Sequence, residues 1–512
     1  MAVIALERVA THPDQVALQD ERSRYTWAQL SEVVNRVANA LRAVDLGEHR
    51  RVAVYAENSA ETVIVHLGAL IAGASVVPIN FHLTVDEAAY ILRDSAARVL
   101  LVGPEQCALG VEAADSARVP VVVAWRSPGA PIRWEEWLGA ASADDPPVGV
   151  APRPNLMYTS GTTGFPKGAD LAPTMFAQTS TIAAHIEALH SNRFTKFGTH
   201  LVVGPLYHTG PLNGMRSIAA GVPLVVAGRF DPENTLRLIE THRVETSLMV
   251  PTHFKRLLDL DDRVKAAYDV SSVRLITHTG AVCPVPAKHA MIAWFGPVLL
   301  DAYGATEVGT ICTINSEDWL RRPGSVGRCI PPFVRPLVVD ADGRELPTGT
   351  EGALFFEDST GRGVVYPNDA EKSALAHIAP GIFTIGEIGY VDEDGFVYIT
   401  DRFSDMIVAG GVNIYPAEAE AVIAAHPKVA DVAVIGVPDA DLGEAVKALV
   451  VPRDRDDPPT EAELIACCRD RLAGYKCPRT VDLVASVGRN AMGKISKRAL
   501  RAPYWEATRT GG

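Results

Sequence analysis

Short apolar strand patterns alternate with helical patterns through most of this chain, and that alternation limits its fold more than any other feature. Arg51–Tyr55 (RVAVY), Arg98–Val102, Val119–Ala124, Leu201–Gly204 and Pro223–Val226 are runs of strand length rich in β-branched residues. Trp27–Val44 carries helical spacing after a Tyr25-Thr26 start. Strands separated by helices predict parallel sheets with helices layered on them, an α/β class. The pattern changes between Arg335 and Phe356, where strand-like runs alternate with turns at Asp342-Gly343 and Thr348-Gly349. A small β-rich subdomain is expected there. Beyond Asp401 the chain reads as helix (Ala417–Ala425), strand (Val429–Val437), strand (Ala448–Pro452) and helix (Glu461–Leu472), a small α+β domain. The expected division is a large N-terminal domain, 1–400, and a C-terminal domain, 401–512. A chain of 512 residues also requires more than one core.

The bulk chemistry excludes several partners. The formal net charge of −13 offers no general attraction to nucleic acid or anionic lipid, so any anionic ligand must be held by local positive groups. No apolar run approaches the roughly 20 residues of a membrane span. Glu7, Arg8 and Asp14 interrupt the first segment before a signal-peptide core is reached. The seven cysteines are scattered with no CxxC pair. A reduced, cytoplasmic setting is expected, as a monomer or homodimer.

Tyr158–Gly168 reads YTSGTTGFPKG. Thr159, Ser160, Thr162 and Thr163 supply hydroxyls, Gly161, Gly164 and Gly168 allow close backbone approach, and Lys167 supplies a cation. That set suits a polyphosphate cradle. A plain linker needs neither the lysine nor the apolar lead-in Leu156-Met157-Tyr158. The usual P-loop is excluded, because Gly168 rather than Ser or Thr follows Lys167. Gly488-x4-Gly493-Lys494 fails the same test, since Ile495 follows.

YTSGTTGFPKG resembles the phosphate-binding loop of the adenylate-forming superfamily, which includes acyl-CoA synthetases, adenylation domains of peptide synthetases and firefly-type luciferases. Five further segments resemble that family in the same order. PLYHTG (Pro205–Gly210) implies an acyl-pocket wall with Tyr207 and His208. HTGAVCP (His278–Pro284) implies that Gly280, Ala281 and Val282 border adenine and acyl group. DAYGATE (Asp301–Glu307) implies a nucleotide motif of Asp301, Ala302, Tyr303 and Gly304. In it Tyr303 would stack on adenine, Thr306 meet the α-phosphate and Glu307 hold magnesium. DRFSDMIVAGGVNIYPAEAE (Asp401–Glu420) implies a hinge, with Arg402 near the ribose, Ser404 as pivot, and Gly410 and Gly411 beside the coenzyme A channel. NAMGKISKRALR (Asn490–Arg501) implies that Lys494 is the adenylation cation.

The resemblance implies ATP, Mg2+ and coenzyme A as the chemistry's other parties. A carboxylate attacks the α-phosphate, pyrophosphate leaves, the small domain rotates, and the thiol of coenzyme A displaces AMP. A hydrophobic carboxylic acid is the expected substrate. Two departures touch the nucleotide side. Ile385-Gly386-Glu387 stands where the family has Thr-Gly-Asp, so Glu387 would hold the ribose with one extra methylene. Pro173 stands where a His is usual. A ligase that uses a preformed acyl-adenylate therefore stays open as an alternative, and for the thiol acceptor so does a free-standing loader of carrier proteins.

Overall fold

Apolar runs flanked by helices settle first into a parallel sheet. In this computed structural model, which describes residues 4–159, 166–281, 283–340, 342–365, 370–402, 406–414, 416–488 and 497–509, Arg51–Tyr55 lies between Ser75–Ile79 and Val99–Val102. Val121–Ala124 and Ile132–Arg133 extend the sheet, and every pairing is parallel. The connecting helix Ala60–Ile71 is buried along its whole length. It packs on the helix Trp27–Arg42, which a capping box of Thr26 and Gln29 starts. That helix ends two residues before the expected Val44, with Ala43 as its C-cap. The two helices approach at Gly68, where a Cβ would fall 2.4 Å from Val37 Cγ1.

A second, larger sheet carries the rest of the first compact unit. Its parallel part runs Val16–Gln19, Leu224–Val226, His200–Val202, Thr246–Met249, Leu275–His278, Leu299–Ala305. It then continues antiparallel through Gly309–Asn315 and Ser325–Cys329 into Val397–Arg402. The expected β-rich region is found as Phe333–Val339 paired antiparallel with Gly352–Asp358, over a core of Phe333, Leu354, Phe356 and Phe383. Its hydrogen bonding is continuous with the large sheet, because Ser325–Cys329 and Val397–Arg402 bridge the two.

Compactness divides the chain into Met1–Phe81, Ala88–Tyr158 and Gly168–Asp401 on one hand, and His82–Glu87, Thr159–Lys167 and Arg402–Gly512 on the other. The second unit is built on the long hairpin Val429–Asp439 and Gly443–Pro452, with Ile407–Ala409, Val412–Ile414 and Thr480–Leu483 beside it. Helices Pro416–Ala424 and Glu461–Arg469 cover its apolar face, where Ile423, Val434, Val450 and Leu464 are fully buried. The last expected helix, Glu461–Leu472, ends at Arg469. No helix among the described residues is long and apolar enough to cross a membrane.

Candidate active site

Parallel strands place their C-terminal ends together, and in open α/β sheets that edge is where ligands bind. Here the edge brings together three of the segments singled out in the sequence. Leu275–His278 and Leu299–Ala305 are neighbours, with His278 opposite Asp301. Just past the first strand, Thr279 Oγ1 donates to Ala302 O at 2.6 Å. Gly280 follows with φ +90°, a conformation that costs glycine little. Ala281 is half-buried, and Val282 lies outside the described residues.

The PLYHTG segment meets the same edge. The helix Thr209–Met215 starts at His208, and Thr209 Oγ1 stands 3.4 Å from Thr306 Oγ1. Tyr207 packs edge-on against Phe81, with ring centroids 5.2 Å apart, and its ring lies 4.5 Å from that of His208. His208 Nε2 is buried with no hydrogen-bond partner among the described residues. Burial draws His208 down to about 4, so the imidazole is neutral at pH 7. The neutral ring lies beside Tyr207, which packs in turn on Phe81.

The YGATE turn is held by steric and polar constraints. A Cβ on Gly304 would fall 1.9 Å from Gly309 O, so only glycine fits this close crossing of Leu299–Ala305 and Gly309–Asn315. Thr174 Oγ1 donates to Val308 O at 2.6 Å, tying the segment after Pro173 to the same turn. Tyr303 is half-buried against Phe356, with centroids 5.9 Å apart. Arg362 Nη1 donates to the backbone oxygen of Glu307 at 3.4 Å. Glu387 is 3% exposed at the head of the strand Glu387–Val391.

Asp301 is engaged away from the edge. Its carboxylate accepts from Lys288 Nζ at 2.9 Å, and His278 Nε2 lies 3.5 Å from it. Lys288, 1% exposed, sits on the helix Val285–Phe295 with Trp319 beneath its ammonium at 4.7 Å. Burial lowers His278 to about 4, a shift that Asp301 opposes and Lys288 reinforces. A neutral His278 thus stands beside the Lys288–Asp301 salt bridge. Lys288, Thr209 and Thr279 were not singled out from sequence. The two threonines lay inside quoted motifs, but a buried lysine on a mostly apolar helix leaves no local signal.

The remaining sequence candidates divide by location. Ser160, Gly161, Thr162, Thr163, Gly164, Ser404 and Lys494 lie outside the described residues. Thr159 and Lys167 are in the short paired strands Leu156–Thr159 and Lys167–Asp170 that flank the loop. The first strand is anchored by Tyr158, whose hydroxyl donates to Asp94 Oδ2 at 2.6 Å. Burial and that bond push the phenol well above its ordinary range. In the second unit, Arg402 ends the strand Val397–Arg402. Gly410 and Gly411, with φ +60° and +81°, make the turn between Ile407–Ala409 and Val412–Ile414. Among the described residues no group of three or more His, Cys, Asp or Glu is placed to hold a metal ion.

Known proteins resemble this chain in sequence and in fold. The AMP-binding enzyme family matches residues 6–362, and the AMP-binding enzyme C-terminal domain matches residues 418–494. A methyl-dioxo-octahydroindenyl-propanoyl:CoA ligase of Mycobacterium tuberculosis is 35% identical, covering 97% of this chain and 97% of its own. The long-chain-fatty-acid–CoA ligase FadD13 of the same species is 34% identical, over 94% of this chain and 93% of its own. Among solved structures, the amide bond synthetase McbA from Marinactinospora thermotolerans superposes with a TM-score of 0.82 at 28% identity, covering 98% of this chain and 99% of that one. Matched along nearly its whole length by these relatives, and in both of its parts by the family, this chain belongs to the AMP-binding enzymes, the acyl-CoA synthetases of the adenylate-forming superfamily.

Proposed function

We propose that this protein is an AMP-forming acid–thiol ligase, which converts a hydrophobic carboxylic acid through an acyl-adenylate into its coenzyme A thioester. The observation that carries the reading is the meeting of Thr209 and Thr306 hydroxyls beside Tyr303 at the strand ends, in a chain that the family matches in both parts. The division of labour follows from chemistry. A carboxylate and a triphosphate repel each other, so the first step needs alignment and charge neutralisation more than proton transfer. Thr306 is assigned to an α-phosphate oxygen and Tyr303 to the adenine face. The neutral His208 and Tyr207 are assigned to the acyl group. Glu387 is assigned to the ribose hydroxyls with Arg402.

Magnesium is assigned to phosphate oxygens with one protein carboxylate, that of Glu307. Bound there, it would neutralise charge on the phosphates. Lys494 is assigned the cationic role at the α-phosphate, and residues 401–512 the rotation that withdraws it. Gly410 and Gly411, whose positive φ values leave a turn without side chains, are assigned to the pantetheine path.

The residues assigned to the acyl group are the aromatic Tyr207, which packs on Phe81, and the neutral imidazole of His208, and the named relatives are ligases of bulky or long acids. These points support a bulky or medium-to-long hydrophobic acid. The test is pyrophosphate release with ATP over a panel of carboxylic acids. Thioester is then read with coenzyme A, a phosphopantetheinyl carrier protein and a simple amine as alternative acceptors. Pyrophosphate release with an acid, followed by thioester only with coenzyme A, is expected. Thioester from a synthetic acyl-adenylate without any pyrophosphate release from ATP would instead establish a ligase dependent on preformed adenylate.

A further inference from the structure

Two thiols face each other across the antiparallel strands Gly309–Asn315 and Ser325–Cys329. Cys312 stands opposite Cys329 in the register, and Thr313 opposite Arg328. Ile330 N donates to Ile311 O at 2.9 Å, one position along from the cysteines on each strand. In an antiparallel ladder that bond flanks a non-hydrogen-bonded pair, the kind whose Cα atoms come to about 4.5 Å and whose side chains stand closest. The Cys312 and Cys329 sulfurs are accordingly 3.8 Å apart. A disulfide needs Cα atoms about 4.4–6.8 Å apart and Cβ atoms on one face, so this pair can close with little movement of either strand.

The two thiols differ in access. Cys312 is fully buried with Ile311, Phe333 and Phe356, and burial together with the neighbouring thiol pushes it well above the ordinary thiol range. Cys329 is half-buried at the end of its strand. An oxidant arriving from solvent therefore meets Cys329 first, with Cys312 behind it as the resolving thiol. One strand further on, Tyr303 stands opposite Cys312. Tyr303, Cys312 and Cys329 thus form one row across three strands, and all three pack on the same apolar core.

We propose that Cys312 and Cys329 are a dithiol modification site, oxidised to an intrachain disulfide by small-molecule disulfides of the glutathione class. The Cys329 thiolate attacks one sulfur of the small disulfide, forming a mixed disulfide and expelling the first small thiolate. The Cys312 sulfur then attacks Cys329 Sγ, and its proton passes to the second small thiolate as that leaves. Net, one S–S bond breaks and one forms. The two protein thiols are oxidised, the small disulfide is reduced to two thiols, and both protons end on those. In a reducing setting the pair stays as thiols until the oxidant accumulates. A consequence, which rests on the ligase reading above, concerns the nucleotide. The bond draws the sulfurs together at the position next to Tyr303, so the oxidised protein holds ATP less well.

The experiment uses the full-length protein. It is incubated with glutathione disulfide, the remaining thiols are alkylated, and its peptides are mapped by mass spectrometry. A peptide linking Cys312 to Cys329, two hydrogens lighter than its reduced parts and abolished by dithiothreitol, is expected. Glutathione retained on Cys329 with no such link, a link between other cysteines in its place, or all seven thiols left free overturns the proposal. The KM for ATP in pyrophosphate release is expected to rise about five-fold on oxidation, to return with dithiothreitol, and to stay unchanged in Cys329→Ser given the same treatment. An equal rise in Cys329→Ser, or no rise in the linked protein, overturns the coupling to Tyr303 and leaves the modification site standing. If Cys329→Ser fails to fold, the peptide map and the dithiothreitol reversal on the unaltered protein decide. The linked peptide with no pyrophosphate from any acid sinks the ligase reading and not the disulfide.

Discussion

Lys288 and Asp301 show how much a single pair contributes beneath a binding edge. The lysine is buried with its ammonium over Trp319, and the aspartate stands at the root of the YGATE turn. Removing one partner strands the other charge in a dry interior, which costs about 3–5 kcal/mol, whereas an apolar pair of similar volume is often neutral. Lys288→Met and Asp301→Asn are therefore each expected to lower the urea midpoint strongly, and Lys288→Met/Asp301→Leu to recover most of it. Equal losses in the single and double variants would show that the pair does not act as a unit. This pair also marks where sequence reading stops. YTSGTTGFPKG and DAYGATE were legible because their chemistry is packed into consecutive residues. Lys288 is thirteen residues from Asp301 on a different element, and its pairing exists only after the helix Val285–Phe295 docks on the sheet. The burial of Arg216 in a run reading MRSIAAG is hidden for the same reason.

At the level of elements, strands were easier to see than the helices between them. RVAVY is a strand by composition alone. The helix Ala60–Ile71 is buried on every side, so it shows no polar face and no 3.6-residue stripe to betray it. What fixes it is its seat on Trp27–Arg42 at Gly68. Gly68→Ala is expected to overpack that contact and cost about 1–3 kcal/mol in denaturant unfolding. Val37→Ala makes room and is expected to rescue Gly68→Ala in a double-mutant cycle, with a clear coupling energy. Additive losses would place the strain elsewhere. Element ends were the least legible part, as with the helix that stops at Arg42 rather than Val44.

Across the whole molecule, buried histidines set the acid limit of the fold. His66, His200 and His253 are drawn to about 3 and His208 and His278 to about 4, with burial the first cause in each case. Each is neutral in the folded chain, while an unfolded chain protonates near the ordinary value of about 6.5. Below that pH the unfolded state binds more protons, so stability present at neutral pH is lost as pH falls from about 6.5 toward 4. Each such histidine contributes on the order of 1.4 kcal/mol per pH unit in that window. Urea midpoints at pH 8, 6.5 and 5 are expected to fall slightly between the first two, where the unfolded histidines become half protonated, and to drop sharply at the third. A midpoint unchanged at pH 5, where ordinary carboxylates are still ionised, would contradict the burial of these rings.

The strand-end edge has a consequence for how the chain matures. It draws Tyr207 and Thr209 from one stretch, Thr279 and Gly280 from a second and Tyr303–Thr306 from a third, so on the reading proposed above no fragment of the growing chain carries the whole nucleotide site. ATP cannot template early collapse. It can act only as mass action on the finished fold, worth about 2.7 kcal/mol at a hundred times its Kd. Refolding from urea is expected to proceed at the same rate with ATP present from the start or added after collapse, while the final midpoint rises equally in both. Acceleration by early ATP would mean that part of the site forms before the sheet is complete.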